Sequence, residues 1–199
     1  MDYLAFLQKE IHAAAFATLA EDGRPEVRII DIMLYDGHSL YFLTAKGKAF
    51  YRQLIEQKFV AITGEKGRRA VSLRGHVRVA DPALLDVMFE ENPYMKDIYP
   101  GDTRRALEAF EIYQASGEYF DLTQTPVLRE PIAIGAGESA TGRCYRITAG
   151  CTACGRCMPV CPQRCIEPGR PYRIAPEQDR KSTRQNSSHW KQSRMPSSA

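Results

Sequence analysis

Between Ala13 and Ala80 the chain alternates short apolar stretches with glycine-bearing turns, and the apolar stretches have strand length and strand composition. "AAFATLA" runs into the turn "EDGRPE", then "VRIIDIMLY", the turn "DGHS" and "LYFLTA". β-Branched and aromatic residues in runs of this length, separated by Gly-containing turns, predict successive antiparallel strands. "GKAFYRQLIEQ" breaks the rhythm, because Phe50, Leu54 and Gln57 follow helical spacing. Two further strands, "KFVAITGE" and "AVSLRGHVRVA", flank the turn "KGRR". "DPALLDVMFEENP" predicts a helix starting at Asp81, with Pro82 in its first position, and ending before Pro93. "EAFEIYQASGEYFDL" predicts a last hairpin turning at Gly117. At the N-terminus, Leu4, Phe6 or Leu7, and Ile11 share one face of a short amphipathic helix. The expected fold class is mainly β with helices (α+β), an antiparallel barrel.

The last residues, Asp179 to Ala199, have no apolar periodicity. Their composition is that of a disordered basic tail. The segment also resembles a sequencing adapter read as codons. The adapter translates to DRKSTRLNSSH, from which this chain differs at Gln185, and later to SRMPSSA followed by a stop. On that expectation the tail is set aside. The charge then changes sign: the tail carries a net +4, so the chain's +3 becomes −1 over Met1 to Gln178. Nothing in that balance points to nucleic acid or an anionic membrane as a partner. With no long apolar span and no apolar N-terminal signal, a cytoplasmic protein is expected.

Five of the six cysteines lie in "CTACGRCMPVCPQRC". In a reducing compartment, clustering favours metal ligation over disulfides. Zinc sites use separated pairs with a longer spacer, whereas C-x2-C-x2-C-x3-C-P is a cuboidal-cluster pattern. Cys151, Cys154 and Cys157 are therefore assigned to one 4Fe-4S cluster and Cys161 to a second. The run resembles one half of a two-cluster bacterial ferredoxin. "YRITAGC" at Tyr145 is echoed by "YRIAPEQ" at Tyr172, so a second run is expected after Gln178. Two clusters are expected in the complete protein and at most one in this chain. Cys165 resembles an extra cysteine of "CPxxCI" versions of such ferredoxin-like segments and reads as a core thiol, and Cys144 reads as structural.

The stretches "GRPEVRIIDIMLYDGHSLYFLTAKGKAFYRQL" and "AVSLRGHVRVAD" resemble the pyridoxamine 5′-phosphate oxidase-like flavoproteins. The resemblance covers Met1 to Ile134. It implies a split barrel that dimerises and binds FMN at the subunit interface, and anaerobe-type members carry a ferredoxin-like C-terminal extension. The implied domains are a flavin-binding barrel over 1–134, a linker over 135–144, a partial ferredoxin-like module over 145–178, and the tail over 179–199. "GAGESATG" reads as linker, not as a nucleotide loop.

By the same resemblance, Arg28, Thr44 and Lys48 match positions that hold the flavin phosphate. Lys46 is a nearby candidate, and the backbone of Ile29 and Ile30 lines the flavin edge. A cation at a helix N-terminus suits an anion, although Lys46, Lys48 and Arg52 also read as an ordinary solvated basic turn. Alternation puts Arg28 and Asp31 on opposite faces of their strand. Arg74 and His76 are weaker candidates. The function expected is an oxidoreductase passing electrons between 4Fe-4S clusters and FMN to a small redox substrate or electron carrier. The alternative is a non-catalytic redox-sensing or electron-carrier module. Pyridoxamine phosphate oxidation ranks third, for want of an Arg-rich C-terminal substrate segment.

Overall fold

The computed structural model describes residues 1–124, 127–136, 147–161 and 164–174. The chain divides into two compact units, Met1–Ala140 and Thr141–Ala199. Cys144, most of the expected linker, and the tail lie outside the described residues.

The first unit is built on seven strands: β1 Ala13–Leu19, β2 Pro25–Tyr35, β3 Leu40–Ala45, β4 Phe59–Lys66, β5 Arg69–Val79, β6 Leu107–Asp121 and β7 Leu128–Ile134. Every pairing is antiparallel, in the order β3-β2-β1-β4-β5-β6-β7, and β3 also pairs with β6. That extra pairing closes six strands into a barrel. β6 makes this possible by its length. Its first half pairs with β3, from Leu107 opposite Ala45 to Ile112 opposite Leu40. Its second half pairs with β7, from Ala115 opposite Ile134 to Asp121 opposite Leu128.

Gly117 is therefore not a hairpin turn but the middle of a 15-residue strand. A Cβ there would lie 1.9 Å from the carbonyl oxygen of Ser72, so close strand approach, not turning, requires the glycine. A bulge at Tyr113, where the register slips between His76 and Val77, lets Ile112 and Ala115 both face the core although three positions apart. A second irregularity, between Ile32 and Leu34, puts the adjacent Met33 and Leu34 both against the cluster outside the barrel, while Ile32 and Tyr35 face the core.

The barrel core holds Phe16, Phe42, Phe50, Phe110 and the aliphatics around them. Each such fully buried side chain contributes about 1.5–3 kcal/mol. The N-terminal helix α1 (Tyr3–Phe6) continues as a wider turn, Leu7–Ile11, and adds Leu4, Phe6 and Leu7 to this core. α2 (Ala49–Gln57) buries Phe50, Gln53 and Leu54. α3 (Leu84–Glu91) and α4 (Met95–Ile98) cover a second cluster outside the barrel, with Met33, Tyr41, Leu43 and Met88. α3 begins three residues later than Asp81, whose carboxylate instead accepts the Ala83 N–H at 2.9 Å.

In the second unit a one-turn helix, α5 (Cys157–Val160), precedes a two-residue ladder, β8 (Ile166–Glu167) with β9 (Arg173–Ile174). Among the described residues, no helix is long and apolar enough to cross a membrane.

Candidate functional site

The inward rows of β1, β2 and β3 are apolar through most of their length and turn polar at one end. On β1 the row is Ala14, Phe16, Thr18, paired with Ile30, Arg28 and Glu26 of β2. On β3 it is Leu40, Phe42, Thr44, all buried. α2 lies over this end. Its Phe50 ring sits 4.4 Å beneath the Arg28 guanidinium.

Arg28 is held by three neighbours. Nη1 donates to Thr18 Oγ1 at 2.5 Å, and Nη2 donates to Gln53 Oε1 at 3.2 Å. The Glu26 carboxylate lies 3.0 Å from Nη2. Thr18 donates to Gln53 Oε1 at 2.6 Å, and Gln53 Nε2 donates to Glu26 at 2.6 Å. Burial pulls the guanidinium below its ordinary value against the opposing pull of Glu26, but an arginine stays charged. Thr18, Gln53 and Glu26 carried no signal in the sequence, because nothing local marks a polar residue that will meet an inward arginine.

Thr44 is 4% exposed, and its Oγ1 has no hydrogen-bond partner among the described residues. A buried hydroxyl left unpaired costs about 1–3 kcal/mol. Four residues on, Lys48 is the N-cap of α2 in an extended conformation and makes no side-chain cap bond. The first N–H groups of a helix have no partner within it, and the helix dipole adds partial positive charge there. Lys48 is exposed and forms no ion pair among the described residues. Lys46 is committed instead, its Nζ lying 3.4 Å from Glu108 Oε2, which also accepts from Tyr51. Arg28 thus packs on Phe50 in the first turn of α2, and Lys48 is that helix's N-cap four residues after Thr44, whereas Lys46 is paired with Glu108. Donors, positive charge and an orphaned hydroxyl suit a phosphoryl group, whose oxygens only accept.

Ile29 points out of the barrel at 66% exposure, and Ile30 packs against the core. Arg74 and His76 belong to the exposed row of β5. The His76 ring packs edge-on against Phe59 at 5.3 Å, and Tyr113 lies 6.4 Å away. A further cluster was not legible in the sequence. His12, Asp31 and Tyr94 come from three distant segments, with the Tyr94 hydroxyl 2.8 Å from Asp31 Oδ2 and 2.9 Å from His12 Nε2.

In the second unit, none of the described cysteines, Cys151, Cys154, Cys157, Cys161 and Cys165, is joined in a disulfide. The backbone bends left-handed at Ala153 and Gly155, and the Ala153 N–H donates to the Cys151 sulfur at 3.4 Å. The Arg156 backbone N–H, then the Thr152 hydroxyl, hold the exposed Cys154 thiol below its ordinary value. Cys161 and Cys165 place their sulfurs 3.5 Å apart. Among the described residues, no group of three or more His, Cys, Asp or Glu side chains is arranged to hold a metal ion. The donor chemistry suits iron, but this arrangement of the sulfurs does not form a cage.

The sequence profile described as pyridoxamine 5′-phosphate oxidase matches residues 2–121. The chain belongs to the pyridoxamine 5′-phosphate oxidase family. A pyridoxine/pyridoxamine 5′-phosphate oxidase of Rhizobium leguminosarum is 31% identical over 113 residues, which cover 54% of this chain and 55% of the relative. The chain therefore spans about half the length of that relative. A NimC/NimA family protein of Clostridium acetobutylicum is 21% identical with a TM-score of 0.58, covering 67% of this chain and 92% of that one. A protein of the same organism, related to general stress protein 26 and described as of the pyridoxinephosphate oxidase family, is 13% identical with a TM-score of 0.51. It too covers 67% of this chain and 92% of its own. Both share the family's barrel fold. The family match ends at residue 121, so the cysteine run falls outside it.

Proposed function

We propose that the first unit binds FMN with its phosphate at the head of α2, and that the protein is a flavin-dependent oxidoreductase. The observation that carries this is the buried Thr44 hydroxyl, without a hydrogen-bond partner among the described residues, together with Arg28 packed on Phe50 in the first turn of α2 and Lys48 at its N-cap. Lys48 supplies a full charge, Thr44 one O–H donor, and the first turn of α2 its free N–H groups. FMN, when bound, exchanges single electrons or a hydride equivalent. Thr18, Gln53 and Glu26 hold Arg28 toward the α2 end of the barrel, and Phe50 beneath it excludes water from the guanidinium face.

The partner is a second copy of the chain. Val27 and Ile29 of β2 stand 63% and 66% exposed beside Ala17 and Ala15 of β1, with Leu19 at 50% exposure on the same outward row. An apolar face of this kind on a closed barrel marks an association surface, and a two-fold dimer is the simplest way to cover it.

The cysteine run supports an iron–sulfur electron-carrier role through its spacing, with Cys151, Cys154, Cys157 and Cys161 as thiolate donors. The substrate is a small redox-active molecule or an electron carrier. The deciding experiment is titration of the purified 199-residue chain with FMN and with riboflavin, which lacks the phosphate. Lys48→Ala is expected to weaken FMN about ten- to a hundredfold, equivalent to about 1.5–3 kcal/mol, with little effect on riboflavin. Equal binding of both flavins by both proteins would refute the phosphate assignment. Iron and sulfide analysis after anaerobic reconstitution tests the cluster, which Cys154→Ser is expected to abolish.

A further inference from the structure

The guanidinium of Arg28 has five N–H donors, and three of them are already engaged, by Thr18, Gln53 and Glu26. Two of those partners are neutral and buried, Thr18 at 5% and Gln53 at 7% exposure. The third is a carboxylate whose side chain is 49% exposed. Glu26 is not a loose surface partner, because Gln53 Nε2 ties it down at 2.6 Å. The Gln53 amide therefore serves both members of the ion pair, its oxygen accepting from Arg28 and its nitrogen donating to Glu26.

We infer that Glu26 is an affinity-setting residue of this site, an internal anion that competes with the phosphoryl group for Arg28. The inference rests on the reading that a flavin phosphate binds at the head of α2. A carboxylate 3.0 Å from a guanidinium nitrogen satisfies much of that cation's charge before any ligand arrives. A phosphate dianion drawn to the same cation meets a like charge across it, at a range where Coulomb repulsion is felt even through partly solvated surroundings. Thr18 and Gln53 keep Arg28 in place without charge, so the frame does not depend on Glu26 being ionised. The site thus holds its arginine oriented at some expense in anion affinity.

The substitution that isolates the charge is Glu26→Gln. The amide oxygen still accepts from Arg28 and Gln53, and the half-exposed amide nitrogen reaches water. Titration of the full chain with FMN and with riboflavin, each at low and high salt, reads the effect. Glu26→Gln is expected to bind FMN about tenfold more tightly at low salt, with a smaller gain at high salt, and to bind riboflavin unchanged. A purely structural role predicts the opposite sign, because damage to the frame weakens binding, and thermal unfolding of the variant registers such damage independently. Unchanged or weaker FMN binding would overturn the inference, as would an equal gain for riboflavin. If the unsubstituted chain binds neither flavin, the FMN reading fails and the inference goes with it. If it binds FMN in preference to riboflavin and Glu26→Gln does not tighten FMN, only the inference fails.

Discussion

Tyr94 donates its phenolic hydrogen to the Asp31 carboxylate at 2.8 Å, joining the turn between α3 and α4 to β2 across 63 residues of chain. That single hydrogen is then committed, so the 2.9 Å contact with His12 must be a donation from Nε2 of the imidazole. His12 presents its ring from a positive-φ backbone conformation, φ 60° and ψ −65°, pinned by backbone bonds to Leu7 and Ile32. Burial and Asp31 together push the Tyr94 hydroxyl well above its ordinary value. The neutral phenol is therefore favoured in the fold. Its stabilising contribution is complete below about pH 10, the unfolded value, and is lost as pH rises beyond it. Tyr94→Phe is expected to cost about 1 kcal/mol at neutral pH and to flatten the fall in denaturation midpoint on the alkaline side. Urea unfolding at several pH values checks both.

Thr44→Val separates folding from binding. The isosteric change removes a buried hydroxyl with no partner among the described residues, so the protein without flavin is expected to gain about 1 kcal/mol. FMN affinity is expected to fall, since a donor is lost. Unfolding curves with and without FMN give opposite signs on this reading, and the same sign in both would contradict it.

Gly117→Ala tests the uninterrupted β6. A methyl group at this position would lie 1.9 Å from the Ser72 carbonyl oxygen and 2.7 Å from the Leu73 side chain. The strands would have to part, at a cost of about 3 kcal/mol or more. A hairpin turn at Gly117 would tolerate alanine far better, so soluble yield and unfolding midpoint distinguish the two.

Ile29→Glu tests the outward apolar row. Ile29 makes no contribution to the barrel core at 66% exposure, so monomer stability is expected to stay within about 0.5 kcal/mol. A charge at the centre of a covered apolar face would dissociate a dimer. Sedimentation before and after the change is the measurement, and a monomer in both cases would remove the dimer proposal.

Local chemistry in the chain was enough for the strands from β1 to β5 and for α2. Their apolar positions repeat at two or at three to four residues, and Gly-bearing turns separate them. The cysteine spacing is likewise a local property. Arg28, Thr44 and Lys48 could be singled out through the family's pattern, and alternation along β2 correctly put Arg28 and Asp31 on opposite faces. β6 reads as a hairpin in the sequence and is one strand in the fold, because Gly117 carries the same letter whether it turns a chain or admits a neighbouring strand. The difference lies in Ser72, 45 positions away. Lys46 and Lys48 are equivalent in sequence, yet Glu108, brought alongside by the β3 and β6 pairing, neutralises one and leaves the other. The network of Thr18, Glu26 and Gln53 around Arg28, and that of His12 and Tyr94 around Asp31, arise where segments remote in sequence meet at the barrel wall. Periodicity says which face a side chain takes, but its partner is set by barrel closure, which depends on contacts the chain makes only once folded.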